Sequence, residues 1–202
     1  MKVSEAIKKR YSCRSYLGKQ VTERLIKELL ELANWAPSAG NQQNRQFIVI
    51  TNGENRKYLA EMNNQRQLEK APVTILVTTK LDKESVDDYL KSLEKWEMMV
   101  NKKNPSDFEI TDEFKKEFRE MKYKWMISDA AAAVENLMLA AVEKGLSTCW
   151  IGIMDFKGVV ERFNLPNDIV PVCLVTLGYS KEQGEPRKKR KPVEELIHWG
   201  KY

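Results

Sequence analysis

A chain of 202 residues, 42% hydrophobic and 31% charged, is long enough for one domain with a real core. Its single histidine, His198, excludes a zinc site with several histidine ligands within one chain, and a Ser-His-Asp triad would depend on that near-terminal residue. Cys13, Cys149 and Cys173 are dispersed with no CxxC, which argues for a reduced compartment and against a disulfide framework.

The net charge of +5, from 34 Lys+Arg against 29 Asp+Glu, is mixed rather than polycationic. It suits a solvated surface, an anionic cofactor or substrate, or nucleic acid. No apolar run approaches ~18 residues, so no transmembrane helix and no membrane partner are expected. The N-terminus carries no apolar signal core, and the expected location is cytoplasmic. With one histidine, enzymatic chemistry is expected to come from a cofactor.

Val3, Ala6 and Ile7 make a weak amphipathic turn. The basic stretch Lys9-Arg10-Tyr11-Ser12-Cys13-Arg14-Ser15-Tyr16 follows. If it runs extended, side chains alternate and Arg10, Ser12 and Arg14 share one side. Two guanidinium forks with a hydroxyl between them suit a phosphate; an arginine closing a helix C-terminus is the alternative. Thr22 has the chemistry of an N-cap, and Leu25, Ile26, Leu29, Leu30, Leu32 and Ala33 form an apolar helical stripe that Pro37 stops near Trp35. Residues 36–44 are a polar loop of turn formers. Residues 47–51 and 73–79 read as buried strands, the first ended by an Asn52-Gly53 turn, with a short helix at 55–62 between them.

From 81 to 128 charged residues dominate. Leu90, Leu93 and Met98 mark one helix and Phe114, Phe118, Met121 and Trp125 another, with a break at Asn104-Pro105. Trp96, Tyr123 and Trp125 are more aromatics than a solvated helix pair needs, so the segment either packs its own stripe or forms a lid. Asp129 caps, or lies within, a further alanine-rich helix through Lys144, apolar nearly all round. A third strand spans 147–152, Asp155 caps a helix through Phe163, and 171–178 contains a fourth strand. The tail, 185–202, is basic and then apolar. Alternating strands and helices predict a layered α/β sandwich in a single domain, 1–202, with a helical insert at about 81–128. No strand is followed by GxGxxG, and no Walker A motif is present.

Four separated pieces then stand in order. They are Arg10-x-Ser12-x-Arg14; Ala36-Pro37-Ser38-Ala39-x-Asn41-x-Gln43; Asp129-x-Ala131-Ala132-Ala133-x-x-Asn136 running into Gly145-Leu146-x-Thr148-Cys149-Trp150-Ile151-Gly152; and Pro186-Arg187-Lys188-Lys189-Arg190-Lys191-Pro192. Together they closely resemble the FMN-dependent nitroreductase family over nearly the whole chain except 81–128.

The resemblance implies an α+β layered sandwich, a mixed central sheet of four to five strands flanked by helices, and an intertwined homodimer with two flavins at its interface. Arg10, Tyr11, Ser12 and Arg14 would hold the FMN phosphate and ribityl chain. Pro37, Ser38, Ala39 and Asn41 would lie against the flavin bound mainly to the other protomer. The backbone of Ile151, Gly152 and Ile153 would face the isoalloxazine ring, and Lys188 and Arg190 would return to the phosphate. Trp96, Tyr123 and Trp125 would shape the substrate pocket. NADH or NADPH would be the donor and a small electron-poor acceptor, a nitroaromatic or quinone, would follow in ping-pong order. The resemblance implies no catalytic side chain, no metal and no nucleic-acid partner. Other readings are a specialised flavin enzyme of the same fold, for dehalogenation or flavin fragmentation, or a flavin-binding or basic-partner-binding protein without turnover. In two places the chain departs from the family. Tyr11 stands where many members have a second basic residue, and Asn44-Arg45 replaces the Pro-Trp common after the loop; both bear on substrate preference more than on flavin binding.

Overall fold

Four runs of aliphatic and β-branched residues pair into one sheet. The computed structural model describes residues 1–81, 112–182 and 189–202. Strands β1 (Arg45–Ile50), β2 (Val73–Lys80), β3 (Ser147–Ile151) and β4 (Ile169–Gly178) lie in the order β1-β2-β4-β3. All three pairings are antiparallel: Phe47 faces Val77, Ile75 faces Val175, and Cys149 faces Thr176. The mixed sheet expected from the sequence is therefore antiparallel among the described residues. Its one parallel element is an isolated bridge between Ser12 and Thr148, because the N-terminal stretch touches β3 without forming a longer ladder.

Among the described residues six α-helices flank the sheet: α1 (Val3–Lys9), α2 (Glu23–Asn34), α3 (Gly53–Met62), α4 (Gln67–Lys70), α5 (Asp112–Glu143) and α6 (Phe156–Arg162). Strand side chains alternate, so each central strand feeds two cores. Val73, Ile75 and Val77 of β2 with Cys173, Val175 and Leu177 of β4 meet Leu29 of α2 and Val134 and Leu137 of α5. Leu76 and Leu174 turn the other way, onto Leu59 of α3, Leu68 of α4 and Val159 of α6. Fully burying such a side chain contributes about 1.5–3 kcal/mol.

Side chains close the helix starts as the sequence suggests. Thr22 Oγ1 accepts from Leu25 N–H at 3.3 Å, and Asp155 Oδ1 from Gly158 N–H at 3.1 Å. Asn52 does more than end a strand: its Oδ1 accepts from Glu54 and Asn55 N–H, and α3 starts at Gly53.

Asp129 lies within a helix rather than capping one. The second helix expected in the insert and the alanine-rich helix are a single element, α5, 32 residues long. No glycine or proline occurs between its ends, so nothing breaks it. Its part Glu120–Glu143 is long and apolar enough, by length and composition, to cross a membrane. Counting unbroken apolar runs misses this, since isolated charges interrupt the segment. Ala130, Ala133, Val134, Leu137 and Ala141 are fully buried against α2 and the sheet, so this is the core helix of the domain. The first insert helix, the Asn104-Pro105 break and Trp96 lie outside the described residues.

Candidate functional site

The basic N-terminal stretch is extended, as the alternation argument requires. Arg10 closes α1, its N–H donating to Ala6 O at 2.9 Å, and has extended backbone angles of φ −61° and ψ 129°. Arg10 thus ends the helix and begins the extended stretch. Cys13 N–H donates to Thr148 O at 2.9 Å and Tyr16 bridges to Ser180. Cys13 and Tyr16 are buried; the Tyr16 hydroxyl lies 2.7 Å from Thr176 Oγ1 and donates to Cys13 O at 3.1 Å. Burial pushes the Tyr16 phenol well above its ordinary value.

Cys13 turned inward leaves Ser12 and Arg14 on the other side. The Cys149 thiol of β3 reports where they go. Burial raises its pKa, while the charge of Arg14, a hydrogen bond with Ser12 and the charge of Arg10 pull it down. The Ser12–Thr148 bridge lays this stretch along β3, and the charges of Arg10 and Arg14 reach Cys149 there. Arg14 Nη1 donates to Ser12 O at 3.2 Å, and Thr148 Oγ1 nearby is buried without a hydrogen-bond partner among the described residues. Tyr11, on the alternate side, donates to Ser180 Oγ at 2.7 Å. Downstream, Ile151 is buried, whereas Gly152 and Ile153 are exposed, Ile153 at 88%. A Cβ at Gly152 would meet nothing nearer than Trp150 Nε1 at 3.8 Å, so the space beside this backbone is open.

The loop 37–43 sits elsewhere, at the entry to β1. It contains a 3-10 turn, Ala39–Asn41, and left-handed backbone at Gly40, Asn41 and Gln43, with φ of 58°, 55° and 51°. Ala39 N–H donates to Asp129 Oδ2 at 3.1 Å, and Gln43 N–H to Ser38 Oγ at 3.0 Å. Arg45, 6% exposed, donates through Nη2 to Asn34 O and to Ala36 O (2.7 Å), and through Nη1 to Pro37 O (3.4 Å). A cleft between this loop and α5 is lined by Ala39, Gln42, Lys122, Trp125, Met126 and Asp129. Trp125 is in that lining and Tyr123 is 38% exposed two residues earlier on the same helix.

The structure places the Arg10–Arg14 stretch beside β3 at Thr148, and Ile151 to Ile153 at the downstream end of the same strand. It places Pro37, Ser38, Ala39 and Asn41 at β1. These are the two opposite edges of the sheet, three strand spacings or roughly 14 Å apart. Arg190 is exposed, and Lys188 lies outside the described residues. Among the described residues no group of three or more His, Cys, Asp or Glu could hold a metal. Sequence reasoning missed Lys122 and the structural use of Arg45. The signal for Arg45 was there: a long cation two residues before an apolar strand run has to find acceptors.

The nitroreductase family model matches residues 7–179. The chain belongs to the nitroreductase family. It is accordingly an oxidoreductase. A Bacillus subtilis protein named as an NAD(P)H nitroreductase, YdgI, is 27% identical over 96% of this chain and 96% of its own length. The NADH dehydrogenase of Thermus thermophilus is 28% identical over 95% of this chain and 92% of that protein. Among solved structures, one from Exiguobacterium sibiricum 255-15, described as a nitroreductase in complex with FMN, covers 98% of this chain and 97% of that one, with a TM-score of 0.75 and 25% identity.

Proposed function

We propose that this chain is an FMN-dependent oxidoreductase that takes electrons from NADH or NADPH and delivers them to a small electron-poor acceptor such as a nitroaromatic or quinone. The observation that carries this is the extended Arg10–Arg14 stretch bridged to Thr148 of β3, upstream of the open backbone at Gly152 and Ile153. The residues fit the cofactor. A phosphomonoester of nearly two negative charges suits two guanidinium forks and a hydroxyl. A flavin edge suits backbone N–H donors that no side chain screens. FMN, when bound, supplies the redox chemistry.

The chain's own residues hold and enclose. Arg10, Ser12 and Arg14 fix the phosphate end, with Lys188 and Arg190 returning from the tail. Gly152 and Ile153 present backbone to the ring. Pro37, Ser38, Ala39 and Asn41, at the far edge of the sheet, reach a flavin held mainly by a second protomer, and Tyr123 and Trp125 wall the acceptor side. The site is therefore built from two chains. Trp35, Ile153 and Trp199 are 85%, 88% and 89% exposed and are candidates for burial against a second chain. An intertwined homodimer burying more than about 2,000 Å² covers them. The cytoplasm, with its reduced thiols and nicotinamide pool, is the proposed location.

The test is purification without added flavin, followed by denaturation and identification of what is released. FMN release, with steady NAD(P)H oxidation when a quinone is supplied, supports the proposal. Release of FAD, or a colourless protein indifferent to added FMN, removes it.

A further inference from the structure

The loop 37–43 carries left-handed backbone at three of its last four positions, two of them not glycine. Such backbone persists only where the surroundings over-determine it. Three side chains do this. Ser38 Oγ ties the loop across itself to Gln43, Asp129 Oδ2 holds Ala39 N–H from α5, and Arg45 collects the carbonyls of Asn34, Ala36 and Pro37. Two of those carbonyls belong to the exit from α2 and the third opens the loop. Arg45 therefore fixes the angle at which the chain leaves the helix.

Stability alone does not explain a cation here. Burial disfavours the Arg45 guanidinium; the charge of Asp129 and the three carbonyl acceptors oppose that. Its Nε is buried without a hydrogen-bond partner among the described residues. A well-packed apolar residue often serves stability as well as a buried charge does. What it cannot do is hold three carbonyls in one plane, and a guanidinium fork can. Asp129 also lines the cleft with Lys122 and Trp125, so whatever moves the loop moves one wall of that cleft.

We propose that Arg45 is a positioning residue that, with Asp129 holding Ala39 N–H, locks the loop 37–43 in the shape it presents to the flavin and to the cleft it shares with α5. This rests on the reading above that the loop faces the flavin of the partner protomer. Arg45 touches neither cofactor nor substrate; it acts through the loop.

The experiment is hydrogen-exchange mass spectrometry on the full-length protein saturated with FMN, comparing wild type with Arg45→Met and Arg45→Lys. FMN dissociation constants and acceptor kinetics are measured on the same samples. In Arg45→Met, peptides covering 36–44 should exchange about tenfold faster or more, while those of β2 keep wild-type rates. The FMN dissociation constant should rise by about tenfold, and acceptor KM should rise more than kcat falls. Arg45→Lys, which keeps the cation but not the fork, should fall between. Wild-type exchange in the loop of a folded Arg45→Met overturns the proposal. If that variant does not fold, Arg45→Lys decides by the same loop readout. Faster loop exchange with an unchanged FMN dissociation constant and unchanged acceptor KM keeps the clamp and overturns the placement of the loop at the flavin.

Discussion

The two edges of the sheet hold their halves of the site by opposite means. At β3, Arg10, Ser12 and Arg14 hang on extended backbone, and the bridges Ser12 to Thr148 and Tyr16 to Ser180 set its direction. Those bridges use main chain, so the direction of each side chain survives most substitutions along the stretch. At β1, the loop 37–43 has no ladder. Its shape depends on Ser38, Arg45 and Asp129 as particular side chains. Changes at the first edge should therefore alter the ligand's contacts, and changes at the second should alter geometry.

The largest expected effect breaks the β3 edge alone. Replacing Arg10 and Arg14 together by Ala removes two charged partners, each contributing about 1.5–3 kcal/mol. FMN titration should show weakening of about a hundredfold or more, with the melting temperature little changed because both side chains leave the backbone bridges intact. Arg190→Ala should follow, at roughly 10- to 150-fold. Lys189→Ala, on the alternate side of an extended tail, should cost little; equal small losses at both would mark the tail as solvated and take it out of the site.

A third expectation concerns pH. Burial holds the Tyr16 proton well beyond the ordinary tyrosine range. The folded protein keeps that proton while the unfolded chain releases it above about pH 10. Tyr16's contribution is thus complete below that pH and falls as pH rises further, by about 1.4 kcal/mol at about pH 11. Denaturant melts of wild type and Tyr16→Phe at neutral and alkaline pH should show the gap between them narrowing as pH rises; a constant gap would contradict the buried phenol. The smallest effect is at the β1 side. Thr22→Ala removes the cap of α2, from which the loop departs, and should cost about 1 kcal/mol in a thermal melt with FMN affinity nearly unchanged.

How much of this was legible in the sequence follows the same division. Period-two alternation placed Arg10, Ser12 and Arg14 on one side, because extended backbone obeys that rule locally. Thr22 and Asp155 announced their helices, because capping is also local. The β1 edge was not legible beyond its turn formers. Its shape is set by Asp129, 90 residues from Ala39, and by an arginine whose acceptors lie 8 to 11 residues back. Asp129 itself could be read as a cap or as an interior residue, since an N-cap and a mid-helix aspartate look alike until the helix is seen to run through 112–143. The all-antiparallel sheet was hidden for a related reason: alternation of strands and helices does not fix strand direction when crossovers are long.

The central claim is that one working site needs the β3 edge of one chain and the β1 edge of another. It is tested most directly by co-expressing two differently tagged variants and purifying the mixed dimer. One variant carries Arg10→Ala with Arg14→Ala; the other carries Asn41→Ala with Arg45→Met. A mixed dimer has one site with both edges intact and one with neither. With FMN and quinone held near their wild-type dissociation constant and KM, the account predicts that each homodimer shows only a small fraction of wild-type NAD(P)H-dependent quinone reduction, and that the mixed dimer regains about half the wild-type rate and binds one FMN tightly per dimer. A mixed dimer as inactive as its parents, with no tight FMN site, would show that both edges must come from the same chain and would contradict the two-chain site.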